Sequence, residues 1–169
     1  NTLIAELCEQ GQCYIWWDEV ALKIRFKALV APDDNLPVYT DENHFLADSL
    51  SANIDVNSRQ SRFFVYFDTV DPTKKLDDAS NYRQRHVGAD LQSESDVEYG
   101  LAKSKIIYSR WFNFGSLGRV QQLADALLTR YRDPPRLFDF ELDAAENLST
   151  GDYLKISSRM MQTANGSND

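Results

Sequence analysis

Positive charge is in short supply in this chain. Its 169 residues carry 18 Lys and Arg against 26 Asp and Glu, a formal net charge of −8. Binding a phosphate backbone needs clustered cations, so nucleic acid is not an expected partner. Cysteine is scarce as well, with only Cys8 and Cys13. Two thiols five residues apart cannot complete a zinc site, and no Cys-x-x-Cys redox pair exists. With Cys8 on a helix and Cys13 on the next strand, both are expected to be buried and reduced rather than bridged, which fits a reducing compartment. No run approaches the roughly 20 apolar residues of a membrane helix, and no basic-then-apolar signal segment is present, so no membrane insertion is expected. The sequence opens on Asn1 and holds two methionines, Met160 and Met161, and it reads as an excised or processed piece of something longer.

Signatures of chemistry are equally sparse. There is no Gly-x-Ser-x-Gly elbow and no reactive-cysteine motif. Gly115-Ser116-Leu117-Gly118 lacks the third glycine and the strand–helix context of a dinucleotide fingerprint. The acidic clusters Asp33-Asp34, Asp41-Glu42, Asp77-Asp78 and Glu94-Ser95-Asp96 read as solvated loops, and none follows the spacing of a calcium loop. The two histidines, His44 and His86, are expected to be solvated. No catalytic residue, cofactor or metal site is therefore predicted. Paired carboxylates of the glycosidase kind remain an alternative that 26 acidic residues could supply.

What the chain does have is enough apolar residue content, 43%, to bury a core. Residues 2–10 predict a short helix with Leu3, Ile4, Leu7 and Cys8 on one face, Asn1 or Thr2 as cap, and Gly11 as stop. Residues 13–17 and 22–28 predict a hairpin, with Leu22, Ile24 and Phe26 pointing inward. Residues 31–42 read as a loop, and a short helix is expected around 44–47. Strands are expected at 53–58, 62–68, 83–91 (a polar edge) and 104–112, with a loop at 70–81. Arg62–Phe67 is too continuously apolar to have one fully wet face.

The clearest helix spans about 117–131, where Val120, Leu123, Ala124, Leu127, Leu128 and Tyr131 recur at helical spacing. Ser116 is its expected cap, and Arg130 and Arg132 suit its C-terminal end. Asp133-Pro134-Pro135 stops it, and strands at 136–142 and 152–157 follow, joined through Gly151. The helix is expected to pack on the sheet carrying Phe138 and Phe140. The fold class is therefore α+β, with mixed or antiparallel sheets or a partial barrel around that helix. Residues 1–158 form the folded part, with a potential division near 57–61, and 159–169 read as a frayed tail.

Tyr14, Trp16, Trp17 and Trp111 are core residues or, alternatively, a sugar-stacking platform. Trp16 and Trp17 are adjacent, so on a regular strand they face opposite ways. Either both faces are covered or one tryptophan is exposed and usable. Tryptophan is enriched at binding hot spots, which makes Trp16 and Trp17 the candidate partner contacts.

Several strings then occur in a suggestive order. A helix precedes Cys13-Tyr-Ile-Trp-Trp-Asp18. Asp71-Pro72-Thr73 precedes Leu76-Asp77-Asp78 and Asn81-Tyr82. Glu98-Tyr99-Gly100 precedes Ile106-Ile107-Tyr108-Ser109-Arg110-Trp111. Arg130-Tyr131-Arg132-Asp133-Pro134-Pro135-Arg136 is followed by Leu148-x-x-Gly151-Asp152-Tyr153-Leu154. Over most of residues 1–158 this order resembles the tail-hub or tail-tip proteins of tailed bacteriophages and prophages. The resemblance implies a non-enzymatic component of a tail tip or baseplate hub, usually trimeric, contacting other phage tail and baseplate proteins. It implies assembly in the host cytoplasm and a place in the virion tail. The chain is much shorter than a complete hub protein. Two other readings stand beside it: a carbohydrate-binding or carbohydrate-active protein using Trp16 or Trp17 with nearby carboxylates, and an unrelated intracellular α+β adaptor.

Overall fold

The computed structural model describes residues 2–33, 35–143 and 148–159. In chain order the elements are helix α1 (Thr2–Gln10), then strands β1 (Cys13–Asp18), β2 (Lys23–Ala28), β3 (Val38–Thr40) and β4 (Ser51–Ile54). Strands β5 (Arg62–Thr69), β6 (Tyr82–Ala89) and β7 (Ser104–Tyr108) come next. Helix α2 (Leu117–Tyr131) and strands β8 (Arg136–Asp139) and β9 (Lys155–Ser157) complete the order. The class is α+β, as the sequence predicts. Among the described residues four small sheets form, and none closes into a barrel. The chain divides into two compact units, one of Asn1–Asn53 with Leu137–Asp169 and one of Ile54–Arg136. Residues 57–61 lie inside the second.

The second unit is built on one alternating strand. β5 is the centre of a sheet of order β6-β5-β7, antiparallel to β6 and parallel to β7. Its Phe63, Val65 and Phe67 are fully buried, while Phe64 and Tyr66, on the other face, are half-buried. Helix α2 covers the first face with Val120, Leu123, Ala124 and Leu127, and Ile107 joins the same core. Burying side chains of this size contributes about 1.5–3 kcal/mol each. Gly88 on β6 permits the close approach, because a Cβ there would stand 3.0 Å from the Ala124 methyl. Asn113 rather than Ser116 caps the entry to α2. Its carboxamide oxygen accepts from Gly115 N–H and the Ser116 hydroxyl, while Ser116 as N-cap caps nothing with its side chain. Arg132, just past the helix end, ion-pairs with Asp90, Glu98 and Asp133.

The connection from β6 to β7 is held by two arginines. Buried Arg59 donates to the Ser93 carbonyl and hydroxyl at 2.6 and 2.9 Å and to the Leu101 carbonyl at 3.0 Å, with its guanidinium 4.1 Å from the Tyr99 ring centre. Arg62 forks onto Glu94 through two 2.6 Å bonds. Charge-assisted, bidentate bonds of this kind are the strong ones. They hold the Glu94 carboxyl below the usual glutamate range, Arg62 being the main cause.

Among the described residues the first unit has no comparable layer. β1 and β2 form an antiparallel hairpin, β3 pairs in parallel with β9, and β4 pairs with β8. A single bridge joins Phe45 to Leu142, and Phe45 packs against Phe140 with ring centres 4.8 Å apart. Helix α1 ends as expected at Gly11, whose N–H donates to the Leu7 carbonyl at 2.8 Å.

Several sequence expectations are corrected. β3 lies within the segment read as a loop, because three residues paired with a distant strand leave no periodic trace. Residues 44–47 form no helix, since Phe45 is drawn into its bridge with Leu142. The strand expected at 53–58 stops at Ile54. Asp55 then accepts from Asn57 and Ser58 N–H and winds 56–58 into a 3-10 turn. β8 and β9 do not pair with each other, and β8 ends at Asp139. Helix α2 packs on β5 and β6, not on Phe138 and Phe140. Leu22, Ile24 and Phe26 do not point into a core, and the α1 face of Leu3, Ile4 and Leu7 is exposed. Asn1, the side chain of Thr2, and 160–169 of the expected tail lie outside the described residues.

Candidate interaction surface

The hairpin owes its geometry to Asp18. Its carboxylate accepts from Val20 and Ala21 N–H at 3.1 and 2.9 Å and from Arg25 Nε at 2.8 Å. These bonds, the Ala21 N–H first, hold its carboxyl below the usual aspartate range. The four-residue turn then places Asp18 opposite Lys23, Trp17 opposite Ile24, Trp16 opposite Arg25 and Ile15 opposite Phe26. Directly opposed residues share a face, and neighbours along a strand alternate. One face therefore carries Tyr14, Trp16 and Asp18 with Lys23, Arg25 and Lys27. The other carries Cys13, Ile15 and Trp17 with Ile24, Phe26 and Ala28, and has no charge at all.

The polar face is the anchored one. The Tyr14 hydroxyl donates to the Gly151 carbonyl at 2.8 Å, and the Lys27 ammonium donates to the same oxygen. Lys27 also sits 4.2 Å from the Tyr153 ring centre, and Trp16 stacks on Tyr14 at 5.1 Å. Gly151 has φ +91°, and a Cβ there would lie 2.9 Å from Trp16 Cη2, so glycine is required twice over. The apolar face is the free one. Ile15 is 43% exposed, Trp17 55%, Phe26 66% and Ile24 70%. At the turn, Val20 and Leu22 are more open still. Cys13 alone in this row is buried, at the α1 end, with its Sγ 3.9 Å from the Leu7 carbonyl. Burial pushes its thiol pKa up, and the neighbouring Cys8 adds to the shift. Both cysteines are free thiols.

The two tryptophans thus part company as adjacent strand residues must. Trp16 is half-buried on the anchored side, and Trp17 is exposed on the apolar side. Ile24 and Phe26, read from sequence as core, are the most open members of the surface. The signal for them was present in the cross-strand register, which gives Ile15, Trp17, Ile24 and Phe26 one common face. Together they expose an area on the order of several hundred Å², as large as the largest patch of an ordinary monomer.

A groove of about 680 Å³ runs between the hairpin and residues 148–152, lined by Trp16, Asp18, Arg25 and Asp152 and also by Trp17 and Phe26 of the apolar row. Of the histidines, His44 accepts at Nδ1 from Thr40 N–H at 3.2 Å and lies edge-on to Tyr39. His86 stands opposite Val65 on β6. The structure brings neither to a cysteine or carboxylate cluster, and no group of three metal-ligating side chains occurs among the described residues. No described helix is long and apolar enough to cross a membrane. No protein-family model matches this chain, and no curated protein matches it either.

Proposed function

We propose that this chain is a non-enzymatic assembly module of the tail-tip or baseplate-hub kind its sequence resembles, acting by burial of the apolar hairpin face against another protein. The observation that carries the reading is the inverted hairpin: its charged side is anchored, and its apolar side, with Trp17 and Phe26, is open. An isolated two-stranded hairpin is marginal in water. A sequence that keeps Trp17, Ile24 and Phe26 outward on such a hairpin has a use for them beyond the stability of its own chain. A few desolvated side chains, tryptophan prominent among them, supply most of the binding energy in interfaces, ringed by groups that exclude water. The partners on this reading are other phage tail and baseplate proteins, and further copies of the chain. Its place is the virion tail, after assembly in the host cytoplasm. A net charge of −8 disfavours nucleic acid.

The test is Phe26→Lys in the full chain, with light scattering across a concentration series. Association should fall by a factor corresponding to about 2 kcal/mol if Phe26 is a hot spot. Far-UV circular dichroism should stay unchanged, because the residue is two-thirds exposed. An unaltered association constant would end the reading.

One observation favours a second reading. The groove beside Trp16 combines an aromatic ring with Asp18, Asp152 and Arg25, the components of a carbohydrate subsite. A glycan array and a hydrolase screen test it. Binding or turnover abolished by Trp16→Ala or Asp152→Asn would promote it over assembly.

A further inference from the structure

Helix α1 meets the hairpin at a turn flanked by both cysteines of the chain, Cys8 and Cys13. Gly11 and Gln12 make the turn, with Gln12 in the left-handed region at φ +48°. Three bonds fix it. Gly11 N–H donates to the Leu7 carbonyl at 2.8 Å, the Gln12 carboxamide donates to the Glu9 carbonyl at 2.6 Å, and Leu29 N–H donates to the Gln12 carbonyl at 2.7 Å. The chain thus doubles back, and Cys13 Sγ comes to 3.9 Å from the Leu7 carbonyl, whose carbon is bonded to the Cys8 nitrogen.

The two thiols lie within hydrogen-bonding reach of each other. Their surroundings differ. Cys8 is half-buried and partly open to solvent, while Cys13 is 8% exposed. Burial pushes the Cys13 thiol pKa up, and its bond to Cys8 adds to the rise. The thiolate is the nucleophile, so Cys13 is the poorer starting point for an exchange reaction. A reachable thiol backed by a shielded one is the arrangement of an attacking and a resolving cysteine.

We infer that Cys8 and Cys13 are a reversible dithiol–disulfide pair, in which Cys8 reacts first with a small-molecule disulfide and Cys13 closes the bridge. The Cys8 thiolate attacks one sulfur of the reagent, whose S–S bond breaks as one small thiol leaves. Cys13 then attacks Cys8 Sγ in the mixed disulfide, and the second small thiol leaves. Two electrons pass from the pair to the reagent, and both protons leave on the two small thiols. The bridge ties the last turn of α1 to Cys13, the first residue of the apolar row. The reduced pair of the structure is one of the two states, and the inference does not depend on what the hairpin face binds.

The full chain, equilibrated with reduced and oxidised glutathione and quenched with acid, tests this by intact mass, both native and unfolded in urea. The native chain should lose two hydrogen atoms and still run as a single chain on a non-reducing gel. Any two cysteines this close in sequence can bridge in an unfolded chain, so the unfolded chain is the reference. Because the turn already holds the sulfurs together, the native equilibrium constant with glutathione should exceed the unfolded one by about tenfold. The bridged chain should then melt above the reduced one. At the same glutathione ratio, native Cys13→Ser should stop at one glutathione per chain, and native Cys8→Ser should take up none.

Two free thiols in the native chain, at a ratio that bridges the unfolded one, would overturn the inference. So would a native equilibrium constant below the unfolded one, which would mean that the fold holds the sulfurs apart. A glutathione adduct that persists on Cys8 of the parent would overturn it too, as would a bridge found between two chains rather than within one. Cys8→Ser that takes up glutathione as readily as Cys13→Ser would overturn the order of attack. The mass of the parent chain decides the inference even if either variant fails to fold.

Discussion

The two units of this chain solve the same problem in opposite ways. The second turns its apolar residues inward, and nine of the twelve buried hydrophobic residues among those described belong to it. The first buries only Cys13, Tyr39 and Phe45 of that set, and holds its strands with hydroxyl, ammonium and backbone contacts. One helix laid across three strands is a sufficient core. Three separate two-stranded sheets are not, because each has too little area to bury against itself. The contrast teaches that order and self-sufficiency differ. The first unit has defined registers and turns, yet leaves the apolar face of its hairpin exposed.

The largest predicted effect tests the self-sufficient half. Leu127→Ala removes a side chain that is 3% exposed, and should cost about 2–5 kcal/mol, read as a lowered urea midpoint. A midpoint equal to that of the parent would break the comparison at its stronger end. In the first unit the most sensitive backbone position is Gly151. Gly151→Ala puts a methyl 2.9 Å from Trp16 at φ +91°, and should cost about 1–3 kcal/mol. Tryptophan fluorescence should report that loss at Trp16 without a matching loss of protection in the amides of β5.

Acid should then distinguish the units more finely. The folded pKa of Glu94 lies below its unfolded value, chiefly through Arg62. Its contribution to stability is therefore present above the unfolded value and lost as pH falls through the folded one. A pH series of urea midpoints should slope downward in that acid window, and Glu94→Gln should flatten part of the slope. The smallest effect belongs to the open hairpin face. Phe26→Ser should change monomer stability by no more than about 0.5 kcal/mol, as surface substitutions do, while reducing association. A loss of several kcal/mol in dilute monomer would mean that the face is already covered within the chain.

Legibility from sequence follows the same division. α2 was readable to the residue because its apolar period is strong and Pro134 and Pro135 follow it. β5 was readable as a strand with both faces in use, since Arg62–Phe67 leaves no polar face. The parallel pairing of β3 with β9 was not, because three-residue strands carry no period and their partner is remote in sequence. The packing partner of α2 is not legible, because the next strand in the chain, where Phe138 and Phe140 lie, offers as apolar a pattern as the preceding sheet that α2 covers. At the hairpin, alternation revealed which face is apolar but not whether anything covers it. Ile24 and Phe26 therefore read from the sequence as inward, while the structure exposes them. The split of Trp16 and Trp17 onto opposite faces followed from adjacency alone.

The first unit is assembled from the two ends of the chain, and this gives it a schedule. Tyr14 finds its carbonyl at Gly151, 137 residues downstream. The second unit is one continuous segment that is complete once residue 136 has been made. At about 5–20 residues per second of synthesis, the hairpin emerges and then waits on the order of 10 s for the loop that anchors it. Through that interval both of its faces are bare on a nascent chain.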